Sequence, residues 1–194
     1  YYYDHAGTLV NLGFNNQTAW FSNQFVSINS SPLAAFSLYT FGVDSTYEAY
    51  VYVNGNLSHT QCGVIHNPGY NTVRLSDYVG LNRNDVFRIT VKLTTPNCTY
   101  PIPVSCDVDE WIANTSSSPN QSFISPDGFN WIDLHYVHKA LYQNSGGVSY
   151  AEFSNAVVCL KAFTFDFGII AEDMVKIYKN DSMFEAKIGE ANKI

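Results

Sequence analysis

Four cysteines at 62, 98, 106 and 159, five histidines at 5, 59, 66, 135 and 138, and the acids Asp107, Asp109 and Glu110 are the side chains whose spacing can be tested against site chemistry. "QCG" at 61–63, with His59 or His66 nearby, has the parts of a Cys–His nucleophile, in which the imidazole activates the thiolate. It lacks a helix-start signal around the cysteine, and a disulfide is the simpler role. His135 and His138 lie three apart, a spacing that shares a helix face but not a strand face, and no CxxC or HxxxH spacing suggests zinc. "DVDE" at 107–110 has carboxylates able to ligate calcium, although a solvated, charged strand end is the simpler reading. The chain holds no P-loop, GxGxxG, GxSxG or HExxH pattern. Neither a catalytic residue, a metal nor a cofactor is therefore expected.

Exposed aromatics beside loops offer the remaining chemistry, since a ring face can stack on a sugar ring. Tyr70, Tyr100, Trp111 and Trp131 are so placed, although packing within the protein is the commoner fate of such rings. With Asp107 and Asp109, the residues Tyr100, Trp111 and Trp131 form the expected ligand set. "NQSFISPDGFNWIDL" (120–134) sets Trp131 next to a Pro-Asp-Gly corner. That corner reads as a tight turn in which Asp127 bonds the local backbone and Gly128 takes positive φ, with paired strands on either side.

Composition narrows the setting. The 194-residue chain is 46% hydrophobic and 15% aromatic but only 14% charged. With a net charge of −7 and only 10 scattered basic residues it offers no phosphate-binding groove, so no nucleic-acid partner is expected. No apolar run approaches the roughly 20 residues that span a bilayer. The chain begins at Tyr1 without a signal peptide and reads as a segment of a longer secreted or surface protein. Asn-x-Ser/Thr sequons at Asn16, Asn29, Asn56, Asn97, Asn114, Asn120 and Asn180 point to the same extracellular setting, where cysteines pair. Cys98 and Cys106 flank the short loop "TYPIPVS", which a bridge would close, leaving Cys62 with Cys159. The pairing 62–98 with 106–159 remains open.

The elements that must position these residues are strands. "DVFRITVKL" (85–93) alternates Phe87, Ile89, Val91 and Leu93 with Arg88, Thr90 and Lys92, the period of a strand with one face in a core and one in water. "YEAYVYVNG" (47–55) sets Ala49, Val51 and Val53 against Glu48, Tyr50 and Tyr52, and ends at the tight-turn pair Asn54-Gly55. Residues 19–28, 32–41, 70–79 and 156–165 add further β-branched and aromatic runs. Residues 133–147 are the best local helix candidate, though they fit an irregular loop too, and residues 112–121 form a polar loop. About eight to ten short strands imply an all-β antiparallel sandwich of jelly-roll or lectin-like type. Composition shifts near Gly168, dividing a domain over 1–167 from an extension over 168–194. "IIAEDMVKIYKN" and "SMFEAKIGE" in the extension read as two strands, with Phe184, Ala186 and Ile188 inward and Glu185 and Lys187 outward. Two strands alone are marginal in water. They must pack on the domain, continue into another, or add to a neighbouring molecule's sheet.

Five blocks occur in one order: "YYYDHAGTLVNLGFNNQTAWFSNQF", "LAAFSLYTFGVDSTYEAYVYVNG", "GYNTVRLSDYVGLNRNDVFRITVKLTTP", "YPIPV" and "NQSFISPDGFNWIDL". Over residues 1–165 they resemble the lectin-like domain found C-terminal to papain-like peptidase domains in surface proteins of methanogenic archaea and some bacteria. "IIAEDMVKIYKNDSMFEAKI" resembles the opening strands of immunoglobulin-like repeats in methanogen adhesin-like proteins. The resemblance implies a non-catalytic, extracellular adhesin-like or structural module. Its partners would be cell-wall or host glycans, and its C-terminal strands would join neighbouring subunits into a filament or array. The alternative is a cell-wall-targeting domain of a papain-like peptidase.

Overall fold

The fold comes from a computed structural model that describes residues 1–107, 115–144 and 147–165. Fourteen strands lie among these residues, and every pairing is antiparallel. In chain order they are β1 (Val10–Leu12), β2 (Thr18–Val26), β3 (Leu33–Thr40), β4 (Ser45–Val53), β5 (Asn56–Ile65), β6 (Gly69–Val79) and β7 (Val86–Thr94). Then follow β8 (Ile102–Asp107), β9 (Ser122–Ser125), β10 (Ile132–Asp133), β11 (Lys139–Asn144), β12 (Gly147–Glu152), β13 (Ser154–Val158) and β14 (Leu160–Thr164). The largest sheet has the order β10-β9-β2-β7-β4-β5. Two three-stranded sheets, β14-β3-β6 and β1-β8-β13, contribute to the same core, and β11-β12 is a separate hairpin. The all-β sandwich expected from the alternating pattern is the architecture found.

Period-two patterning decides which side of the large sheet is dry. Phe87, Ile89, Val91 and Leu93 on β7 are fully buried, as are Phe21 on β2 and Val51 on β4. They meet Phe36 and Leu38 of β3, with the Phe36 ring edge-on to Tyr47 at 5.9 Å. Burying each such side chain is worth about 1.5–3 kcal/mol, so the inner face dictates the register. The β4–β5 hairpin closes at Asn54 and Gly55 with φ of 49° and 82°, the two positive values that suit strand twist.

Two stretches depart from the expected elements for physical reasons. Residues 156–165 do not form one strand. The chain leaves β13 at Cys159 and re-enters as β14 in another sheet. The switch frees the carbonyls of Val158 and Leu160, and buried Asn23 Nδ2 donates to both, at 3.0 and 2.8 Å. Asn23 thus occupies a core position because buried carbonyls must be paired. The described residues of 133–147 are not an α-helix. They hold one 3-10 turn, Leu134–Tyr136, capped by Asp133 accepting from His135 N, and then β11. Asp109, Glu110, Trp111, Asn114, Asn180 and the whole 168–194 extension, with its expected strands, lie outside the described residues.

Candidate functional site

The outer face of the six-stranded sheet gathers side chains that the pattern alone marks only as facing water. Register aligns them into rows: Ser125, Trp20, Lys92, Glu48 and Cys62 in one, Phe123, Ser22, Thr90, Tyr50 and Thr60 in the next. Gln24, Arg88 and Tyr52 follow in a third. The Trp20 and Tyr50 rings stack with centroids 5.7 Å apart and 24° between planes. Lys92 Nζ lies 5.7 Å from the Trp20 ring centroid and 2.7 Å from Glu48 Oε1. Tyr50 donates its hydroxyl to Glu48 Oε2 at 2.7 Å. That bond, with some burial, pushes the Tyr50 phenol up to about 12, while Lys92 and Tyr50 hold Glu48 below the usual carboxylate range. Arg88 lies between two more rings, 4.7 Å from the Phe123 centroid and 4.5 Å from that of Trp131, and its Nε donates to Ser22 Oγ.

The Pro-Asp-Gly corner shapes one wall of this face. Its hairpin is as expected: Ile132 pairs with Ile124 and Asp133 with Phe123. Asp127 Oδ1 accepts from the amides of Phe129 and Asn130, both at 2.8 Å, and these bonds hold its carboxyl far below the ordinary range. Ser125 Oγ accepts from Gly128 N. Gly128, at φ +80°, lies so close to Trp20 that a Cβ there would sit 2.9 Å from Cε2 of the indole. Trp131 Nε1 donates to Gly128 O at 3.0 Å, fixing the second indole against Arg88. Three shallow clefts open along the sheet. One of about 310 Å³ lies beside Glu48, Lys92 and Cys62, one of about 450 Å³ beside Tyr50 and Gln61, and one of about 200 Å³ beside Gln24, Tyr52 and Arg88. Half-buried rings interleaved with hydroxyls and charges suit flat, amphipathic ligands such as sugars.

Of the expected ligand residues that are described, Trp131 alone joins this face. Tyr100 packs in the β7–β8 connection against Gly13, whose Cβ would lie 2.6 Å from Tyr100 Cα. Asp107 ends β8, accepts from Asn155 Nδ2 at 2.8 Å, and borders a separate cleft of about 800 Å³ with His138, Lys139 and Glu152. Tyr70 is exposed and edge-on to Tyr39. His59 and Cys62, three apart on β5, face opposite sides of the sheet, and His66 binds Asp44 at 2.7 Å; the Cys–His pair does not form. No group of three His, Cys, Asp or Glu able to hold a metal occurs among the described residues.

The expected disulfides are not formed, and all four thiols are free. Cys62 lies exposed on edge strand β5, whereas Cys159 is 1% exposed in the core where the chain changes sheets. A bridge between an outward edge position and a core position would break the register of β5. Cys106 is fully buried and Cys98 only partly, so the 98–106 loop has one thiol inside and one near the surface. Burial pushes the Cys106 thiol up to about 11 and raises Cys159 as well. The sequon residues Asn16, Asn29, Asn56, Asn97 and Asn120 are exposed.

Trp20, Glu48, Tyr50, Arg88, Lys92 and Phe123 carry most of the site, yet sequence reading assigned them no ligand. The usable signal was aromatic and charged residues at alternate, water-facing positions in several strands. What joins them is the strand order, which the pattern does not disclose.

A family model described as a lectin like domain matches residues 1–164. No curated protein matches. Among solved structures, the fold is similar to the cysteine protease and lectin-like domains of Cwp84, a surface layer associated protein of Clostridium difficile. That likeness has a TM-score of 0.57 and 19% identity, covering 76% of this chain and 32% of that one. A second structure, the clostridial cysteine protease Cwp84 after propeptide cleavage, gives a TM-score of 0.62 at 20% identity, covering 84% and 39%. The chain thus spans 32% and 39% of the length of those two chains.

Proposed function

The chain belongs to the lectin-like domain family, and on that premise we propose that it is a non-catalytic, extracellular module that binds cell-wall or host glycans through the outer face of its six-stranded sheet. One observation carries the reading: stacked Trp20 and Tyr50, with Trp131 and Phe123 held around Arg88, form a half-exposed aromatic platform supplied with hydrogen-bonding groups. Large rings that water can reach on a sheet face bury apolar sugar faces, while the part-exposed Glu48, Lys92 and Gln24 offer donors and acceptors to hydroxyls. Among the described residues no helix is long and apolar enough to cross a membrane, and the surface-layer association of Cwp84 supports placement at a cell surface. The exposed sequons support the same setting and a glycosylated chain. An adhesive role, and assembly through the 168–194 strands into an array, extend this reading from the sequence of the extension. The test is a glycan array followed by titration calorimetry. The parent binds at least one oligosaccharide, and Trp20→Ala or Trp131→Ala weakens it at least about tenfold, or about 1.4 kcal/mol. A parent that binds no glycan overturns the proposal.

A second reading has its own support. The similar structures unite a cysteine protease with a lectin-like domain in one chain, so the module fits equally as the cell-wall-targeting part of a papain-like peptidase. Sequencing the gene upstream of Tyr1 separates the two. A papain-like catalytic block there makes the module a peptidase accessory.

A further inference from the structure

Resting on the sugar-binding reading of the outer face, we propose that the glycan it takes is acidic, and that Arg88 seats a carboxylate or phosphate oxyanion of that saccharide. The charged groups around Arg88 lead to this assignment. Glu48 is committed to Lys92 and Tyr50. Asp127 at the corner accepts from the Phe129 and Asn130 amides and from Asn130 Nδ2. Asp133, opposite Phe123 in the register, accepts from Asn120 N at 2.7 Å and His135 N at 3.0 Å. Arg88 differs from all of these. No carboxylate lies within ion-pair distance of it among the described residues, its one hydrogen bond is to a neutral hydroxyl, and its Nη2 is buried without a partner.

A guanidinium in this position is costly to the fold unless something completes it. Buried charges are ordinarily paired, and an arginine has five N–H donors in a planar fork. Here one donor is used and the planar group is held between the rings of Phe123 and Trp131. Cation–π contact compensates part of the lost hydration, yet burial still lowers the Arg88 pKa. The rings also fix the orientation of the fork, which matters more for recognition than for stability: a pre-aligned guanidinium matches the two oxygens of a carboxylate or phosphate. The group borders the cleft of about 200 Å³ shared with Gln24, Tyr52 and Gly55. That cleft would admit an anionic substituent while the sugar ring stacks on the platform. In a chain of net charge −7, long-range attraction contributes nothing toward such a ligand, so selectivity must come from this local seat.

The test titrates the full chain with three oligosaccharides of matched length at low and moderate salt: an oligogalacturonate, a sugar phosphate polymer fragment and a neutral glucan. At least one acidic probe binds at least about tenfold tighter than the neutral one, as a charge-assisted bidentate pair implies, and the preference shrinks with salt. Whichever acidic probe prevails tells carboxylate from phosphate. Arg88→Gln weakens the acidic probes more than the neutral glucan, so that the ratio between them falls to within about twofold. Arg88→Lys keeps the charge and stem but not the fork, and retains only part of the preference; it also serves if Arg88→Gln fails to fold. Equal binding of charged and neutral probes, or a preference untouched by Arg88→Lys and Arg88→Gln, overturns the inference and leaves the glycan-binding reading intact. Absence of binding by all three probes and across the glycan array overturns both.

Discussion

Gly128→Ala tests whether the Pro-Asp-Gly corner holds the aromatic platform in place. Two separable costs meet there. The backbone term comes from φ +80°: an L-residue in the left-handed region costs about 1–2 kcal/mol, offset by up to about 1 kcal/mol because alanine restricts the unfolded chain. The packing term comes from the new Cβ, which would stand 2.9, 3.0 and 3.1 Å from Cε2, Cδ2 and Cζ2 of Trp20. The indole cannot step aside freely, since it stacks on Tyr50 and lies beneath Lys92. Overpacking of this kind costs about 1–3 kcal/mol. The total is about 1–5 kcal/mol, or roughly 2–20 °C in Tm for a domain of this size. Gly55→Ala is the control: its φ is +82° and nothing lies within 4 Å of the added Cβ, so it reports the backbone term alone. Urea unfolding followed by tryptophan fluorescence and far-UV circular dichroism measures both variants. The reasoning predicts that Gly128→Ala loses about 1–3 kcal/mol more than Gly55→Ala. Equal losses would refute it, because the corner would then not press on Trp20.

Other outcomes follow from the same side chains. Burial also raises Tyr3 and Tyr39, so in a phenolate-absorbance titration Tyr50 is the late component near 12 that Glu48→Gln returns toward the ordinary range; a late component untouched by Glu48→Gln would contradict the Tyr50–Glu48 bond. Because backbone amides depress the Asp127 carboxyl, its contribution is present above the unfolded-state pKa and lost as pH falls through the lower folded one. In melts down an acid series, the parent's advantage over Asp127→Asn shrinks toward low pH, whereas a constant gap would deny the shift. All four thiols are free, so a reducing agent leaves the melting temperature unchanged. A thiol reagent labels Cys62 in the folded protein, and Cys106 and Cys159 only after unfolding. A drop in stability on reduction would show a bridge.

The sequence disclosed what rests on local periodicity and hid what rests on distant pairing. The inner faces of β4 and β7 were legible because one apolar residue in two can only mean a strand with a dry side, and Asn54-Gly55 announced its own turn. The corner at 125–128 was legible because serine, proline, aspartate and glycine each bond or bend the backbone locally. The break at Cys159 was not, since leaving one sheet for another depends on Asn23, more than a hundred residues away in sequence, being there to receive the freed carbonyls. The cysteine pairing failed for a related reason: loop length suggested bridges, while sheet faces, which loop length does not report, separate Cys62 from Cys159. The candidate site was half visible. Trp131 was named from its place beside the corner, but Trp20, Tyr50 and Arg88 become one surface only through the order β9-β2-β7-β4.

The central claim is that the outer face of the six-stranded sheet is where a saccharide binds, and residue-resolved NMR titration with the best oligosaccharide from the glycan array addresses it most directly. The account predicts that the shifts concentrate on the Trp20 and Trp131 indole N–H groups, Tyr50, Arg88 and Lys92. Shifts confined to the cleft beside Asp107 and His138, or an outer face that does not respond at saturation, would contradict it.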